Sequence, residues 1–161
     1  MFQDNRIWVE LESKVLQEIK KYQNKGEFFL EAGGILVGIH DIKSKVYRIT
    51  DITWPQETDK CLTYRFYRKE NGHQEIMDEL WEQSGYVKSY LGEWHTHNQK
   101  NPSPSLIDYT NWKRIAKRKH NYENLFFIIV GTECIGIWTV ENDVVKKIGG
   151  WRLDEEFACV V

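Results

Sequence analysis

The stretch that most narrows what this chain can fold into is Glu93-Trp94-His95-Thr96-His97, followed by Asn98 to Pro104 and then Ser105-Leu106-Ile107-Asp108. Val87 to Trp94 reads as a strand, because Val87, Tyr90, Leu91 and Trp94 are good strand formers after the Ser84-Gly85 break. Asn98 to Pro104 is polar and holds Pro102 and Pro104, so it reads as a loop. Ser105 has the hydroxyl of a helix N-cap, and Asp108 then stands at the third helical position. The fold must therefore bring a strand end and a helix start together across one short loop. Alternate residues of a strand share a face, so His95 and His97 can aim at one point, with Asp108 arriving from the helix.

Two imidazoles and a carboxylate are ligand types that suit zinc. Three protein ligands leave a fourth tetrahedral position open for water, the pattern of a catalytic site and hence of a hydrolase. Each half also has a plainer reading. Ser-x-x-Asp before a helix is close to a capping box, and His-x-His recurs by chance. The two halves flank one loop, which favours the metal reading without closing the other. Trp94, beside the histidines, reads either as core or as a shield of the site from bulk water.

His95-x-His97, seven intervening residues, Ser105, two more and Asp108 match the signature of the JAMM metalloproteases, also called the JAB or MPN+ domain. Upstream, Glu31-Ala32-Gly33-Gly34-Ile35-Leu36-Val37-Gly38 resembles that family's glutamate before a Gly-Gly strand. The likeness covers most of the chain. Asn98 stands where the family usually has proline, and Ala32 where a small hydroxyl residue is frequent. The resemblance implies one zinc per chain held by His95, His97 and Asp108. It implies Glu31 as the general base for the attacking water and proton donor to the leaving amine, and Ser105 as a donor to the oxyanion or the water. It also implies an α/β, single-domain JAB/MPN (cytidine-deaminase-like) fold over residues 1–161, a mixed curved β-sheet flanked by about three helices. Within the family, the short chain and the Gly-Glu-Trp-His-Thr-His context look like the prokaryotic branch, and most like the deconjugating peptidases of bacterial CBASS antiphage operons. That likeness implies an isopeptidase acting on a protein substrate with an extended C-terminal tail, a ubiquitin-like or cGAS-like nucleotidyltransferase conjugate. Maturation of a ubiquitin-like sulfur carrier and a metal-free MPN scaffold are the other readings, and the intact Glu31, His95, His97 and Asp108 argue against the scaffold.

Composition fits one well-packed domain: 161 residues, 41% hydrophobic and 14% aromatic, enough to bury a core. A net charge of −2 gives no bias toward nucleic acid or membrane, and no apolar run nears the ~20 residues of a membrane span. Met1 to Arg6 does not read as a signal peptide, and Cys61, Cys134 and Cys159 read as reduced thiols, so a cytoplasmic location is expected.

Along the chain, Ile7 to Val9 reads as a strand and Glu12 to Asn24 as a helix, with Val15, Leu16, Ile19 and Tyr22 on one face and Gly26 as its stop. Gly33 to Ile39 and Val46 to Ile52 read as strands around a turn at Asp41 to Ser44, and Leu62 to Tyr67 alternates like another. Asn71 to Gln83 reads as a helix, with Asn71 and Gln74 in capping-box spacing and Ile76, Met77, Leu80 and Trp81 facing inward. The helix from Ser105 to Lys119 places Tyr109, Trp112 and Ala116 along one side. Leu125 to Val130 suits a strand buried on both faces, and Ile135 to Val140 and Val144 to Ile148 form a hairpin at Asn142-Asp143. Lys113, Arg114, Lys117 and Arg118 make a positive stripe, read as a solvated helix face or as a dock for an acidic partner.

Overall fold

The computed structural model describes residues 7–23 and 29–154. Nine strands and three helices follow in the order β1 (Trp8–Leu11), α1 (Ser13–Lys21), β2 (Gly33–Asp41), β3 (Val46–Ile52), β4 (Lys60–Leu62), β5 (Arg65–Tyr67), α2 (His73–Gln83), β6 (Ser89–Thr96), α3 (Leu106–Ala116), β7 (Phe126–Val130), β8 (Cys134–Glu141) and β9 (Val144–Arg152). Seven strands form one sheet in the order β1-β3-β2-β6-β7-β8-β9, and β4 and β5 pair as a separate hairpin. The sheet is mixed: β1 with β3 and β6 with β7 run parallel, and the other pairs antiparallel. This is the mixed α/β architecture expected from the sequence.

All five residues of β7 are buried, because both faces of this central strand are covered. On one face Phe126, Ile128 and Val130 join Leu36, Ile49, Leu91 and Trp94, closed by Val15 and Ile19 of α1. On the other, Phe127 and Ile129 meet Trp112 and Ile115 of α3, with Trp138 beside them. Met77 of α2 covers Ile35 and Val37 on a third, smaller patch. Full burial of each such side chain contributes roughly 1.5–3 kcal/mol.

Strict alternation along β6 would put Leu91 on the same face as Glu93 and His95. It does not, because the strand bulges: Gly92 pairs with Leu36 but Tyr90, not Leu91, pairs with Val37. Gly92 takes φ +132°, and a Cβ there would lie 1.8 Å from the Phe126 carbonyl oxygen, so no other residue fits. The bulge sends Leu91 and Trp94 into the α1-side core and leaves Glu93 and His95 on the opposite face.

Several local expectations are corrected. Leu62 to Tyr67 is not one strand but the β4–β5 hairpin, with Cys61 opposite Phe66 and Leu62 opposite Arg65. The first strand runs on to Leu11, and the first helix ends at Lys21. Its expected Gly26 stop, the Met1 to Arg6 segment and Cys159 lie outside the described residues. In α2 the N-cap is Gly72, whose N–H donates to the Glu75 carboxylate, in place of the Asn71–Gln74 pair. Trp81 is 40% exposed, its ring edge against Tyr86 rather than in the core. On α3 the buried side is Trp112 and Ile115, while Tyr109 is exposed, because the helix meets the sheet over β7 and β8. No helix among the described residues is long and apolar enough to cross a membrane.

Candidate metal centre

His95 stands in β6, and His97 follows its end, held by the hydrogen bond from its backbone N–H to the Val130 carbonyl at 2.9 Å. Thr96, between them, points the other way and is buried. It ties the histidine strand to the segment before β2 twice. Its N–H donates to the Ala32 carbonyl at 2.9 Å, and its Oγ1 accepts from the Ala32 N–H at 2.9 Å. Glu31 is thereby fixed beside the histidine pair.

Asp108 comes from the first turn of α3. Ser105 is the N-cap, its Oγ accepting from the Asp108 N–H at 3.2 Å while the Asp108 carboxylate accepts from the Ser105 N–H at 2.7 Å. The capping box orients Asp108 toward the strand. His95 Nε2 and His97 Nε2 are 3.0 Å apart, His95 Nε2 lies 3.3 Å from Asp108 Oδ1, and His97 Nε2 lies 3.4 Å from Asp108 Oδ2. Ligands held about 2.0–2.2 Å from a tetrahedral ion lie roughly 3.3–3.6 Å apart. The two His–Asp108 separations have this spacing and the His95–His97 pair is slightly closer, so the three side chains can converge on one metal ion. They form the one group of this kind among the described residues. The capping box and the candidate ligand set, which compete as readings of the sequence, share the Asp108 carboxylate, which serves in both.

The electrostatics agree with that geometry. Burial disfavours the ionised Asp108 carboxyl, but hydrogen bonds and charge from His95 and His97 outweigh it and hold its pKa well below the usual carboxylate range. Burial likewise disfavours the charged form of His97, yet Asp108 and Glu31 raise its pKa above 6.5. Glu31 is 6% exposed. Burial pushes its carboxyl pKa up, with the charges of His97 and His95 and the Phe66 N–H acting in the opposite direction.

The β4–β5 hairpin forms the cover over Glu31. The Glu31 N–H donates to the Leu62 carbonyl at 2.8 Å. Phe66 lies so close to β2 that a Cβ on Gly33 would come within 2.6 Å of its ring. Gly33 thus lets the hairpin lie flat against the strand beside the glutamate. The Gly33-Gly34 pair is the trace of this contact in the sequence. Trp94 is core: 1% exposed, its Nε1–H donates to the Thr53 carbonyl at 2.9 Å. The positive stripe on α3 splits. Lys117 pairs with Asp143 in the β8–β9 turn at 3.1 Å, while Arg114 and Arg118 line the open groove that runs from the histidines.

Fold and site together define an α/β domain built around a His-His-Asp cluster with a buried glutamate beside it. A family model described as prokaryotic homologues of the JAB domain matches residues 13–144. The chain belongs to this family of prokaryotic JAB-domain proteins. It is 31% identical over 134 residues to a protein of Pseudomonas aeruginosa named CD-NTase/cGAS isopeptidase, covering 83% of this chain and 84% of that one. It is 32% identical over 135 residues to a protein of the same name from Escherichia coli, covering 83% of each. The solution structure of a protein from Desulfitobacterium hafniense superposes with a TM-score of 0.60 at 19% identity, over 86% of this chain and 88% of that one, which shows the shared fold.

Proposed function

We propose that this protein is a zinc-dependent isopeptidase that frees a CD-NTase or cGAS-like nucleotidyltransferase from a conjugate made through its C-terminal end, in antiphage defence. The observation that carries the reading is the convergence of His95, His97 and Asp108 within metal-ligand distance, next to the buried Glu31. The names of the relatives support the substrate class.

His95, His97 and Asp108 would hold the ion. Bound zinc supplies Lewis acidity, lowering the pKa of water from ~16 to about 7 and polarising a carbonyl. Glu31 accepts the proton of the attacking water as its oxygen bonds to the isopeptide carbonyl carbon. When the carbon–nitrogen bond breaks, Glu31 returns that proton to the leaving lysine amine. Burial raises its pKa above that of an ordinary carboxyl, the direction a proton-accepting base requires. Ser105 has one hydroxyl proton, and it donates to Asp108 Oδ2 at 2.7 Å. Its first task is to hold the carboxylate, and it donates to the oxyanion only by rotating away.

The groove runs between the hairpin side and α3, which favours entry of an extended chain over a folded body. We therefore expect cleavage just after the partner's last residue, with the partner's folded body supplying much of the affinity. Mass spectrometry of a CD-NTase bearing a lysine-linked or peptide-linked C-terminal extension, with and without chelator, tests this. One chelator-sensitive cut at the junction supports it; many equally fast cuts in generic unfolded proteins contradict it.

A further inference from the structure

The groove that contains the metal centre, about 640 Å³, extends well past it. Its floor beyond His95 is Glu93, whose Oε1 takes two bonds from Arg68, at 3.1 and 2.7 Å. One wall is the hairpin and the residues after it, with Arg65 stacked 4.0 Å above the Tyr67 ring. The other wall is α3, with Arg114 and Arg118. A second cavity, about 380 Å³, shares Arg68, Glu93 and Arg118 with the first and continues toward His120.

The charge along this groove is one-sided. Glu93 is matched by Arg68. Arg65, Arg114 and Arg118 then face Glu70 alone outside the Glu31 and Asp108 carboxylates of the centre. Arg114 bonds only the neutral Asn111 amide, at 3.2 Å, and Arg118 makes no ion pair among the described residues. Lys117, the C-cap of the same helix, is differently placed: it pairs with Asp143 in the β8–β9 turn. The groove therefore keeps its arginines turned to the reaction path.

We propose that Arg114 and Arg118, with Arg65 opposite, form a specificity subsite for an acidic side chain of the protein substrate, on the side of the scissile bond that lies along α3. The proposal rests on the isopeptidase reading and adds to it what the substrate sequence must contain. Arg114 lies about 9 Å along the helix axis from Asp108 at 1.5 Å per residue. An extended chain covers that in about three residues, at roughly 3.3 Å each. Arg118, just past the helix end, extends the reach to about five.

The test uses the zinc-loaded protein and a CD-NTase with a C-terminal extension, with Glu, Gln or Lys placed three to five residues from the junction on each side. On one side, Glu tails should be cleaved about 5–10-fold faster in kcat/KM than Gln tails, from one or two partly screened arginine–carboxylate contacts. The advantage should shrink as salt is raised. Arg114→Gln with Arg118→Gln should bring the Glu/Gln ratio to about one. Arg114→Glu with Arg118→Glu should turn the preference toward Lys. Equal cleavage of all tails by the wild-type protein, or a preference that survives in the double Gln variant, overturns the subsite and leaves the isopeptidase reading standing. Failure to cleave any tail removes both. In a binding arm, Glu31→Gln protein is titrated with a labelled acidic peptide and a single-stranded DNA oligonucleotide of equal charge. Tighter, arginine-dependent capture of the DNA would assign the arginines to phosphate and overturn the proposal.

Discussion

At the residue scale a few side chains have two duties each. Asp108 completes the capping box of α3 and faces both histidines; His97 follows the end of β6 and would donate to the ion. Because Asp108 and Glu31 raise the His97 pKa above 6.5, protons compete with metal for His97 at a higher pH than at an ordinary histidine. Zinc affinity should accordingly fall as pH drops toward and through this raised value, while Asp108 stays ionised throughout. Competition with a zinc-sensitive dye from pH 8 to pH 5 checks it, and a flat affinity across that range would contradict the ligand assignment. His95→Ala with His97→Ala should abolish tight zinc binding altogether. Ser105→Ala removes both a cap and the bond to Asp108. It should lower stability by about 0.5–2 kcal/mol, the usual cost of an N-cap, and reduce kcat with zinc still bound. Thermal melts, elemental analysis and kinetics on one preparation separate these effects.

At the element scale, β6 and α3 are the two supports of the site, and each is anchored by tryptophan. Trp94 fixes β6 in the α1-side core, and Trp112 fixes α3, stacked on Phe127 at 4.9 Å. Trp112→Ala should cost about 3–5 kcal/mol, the range for emptying a large core position. It should also weaken zinc binding, because Asp108 rides one helical turn from Trp112. Calorimetry with zinc titration measures both, and a destabilised variant with unchanged zinc affinity would show that α3 packing does not position Asp108. Much of this was legible beforehand. His95, His97 and Asp108 are brought together as expected, and the strand–loop–helix order, the buried β7 run and the Asn142-Asp143 hairpin follow from local chemistry. The β4–β5 hairpin was not legible, since Thr63-Tyr64 lacks the Gly, Asn or Asp that marks a tight turn. The inward face of α3 is ambiguous in the sequence, because Tyr109 and Ala116 share a stripe with Trp112. Only the position of β7 and β8 determines which side of that stripe is covered. The β6 bulge at Gly92 also escaped a strict two-residue period, yet it puts Glu93 and His95 opposite the core.

At the scale of the whole molecule, one sheet separates a supporting layer from a working layer. α1 and the larger core lie on one face; α2, α3, the hairpin and the groove lie toward the other. The candidate site is thus built on a strand end and a helix start, with a short hairpin over Glu31 and a groove running past it. In the proposed reaction His95, His97 and Asp108 would hold a zinc ion and Glu31 would move the proton. The most direct measurement is zinc content and single-turnover cleavage of a C-terminally extended CD-NTase by wild-type and Glu31→Gln protein side by side. The account predicts about one zinc per chain in both, with the Glu31→Gln rate lower by roughly 10²–10⁴-fold, the scale for loss of a general base. Near wild-type cleavage by Glu31→Gln, or full activity in protein stripped of metal, would contradict it.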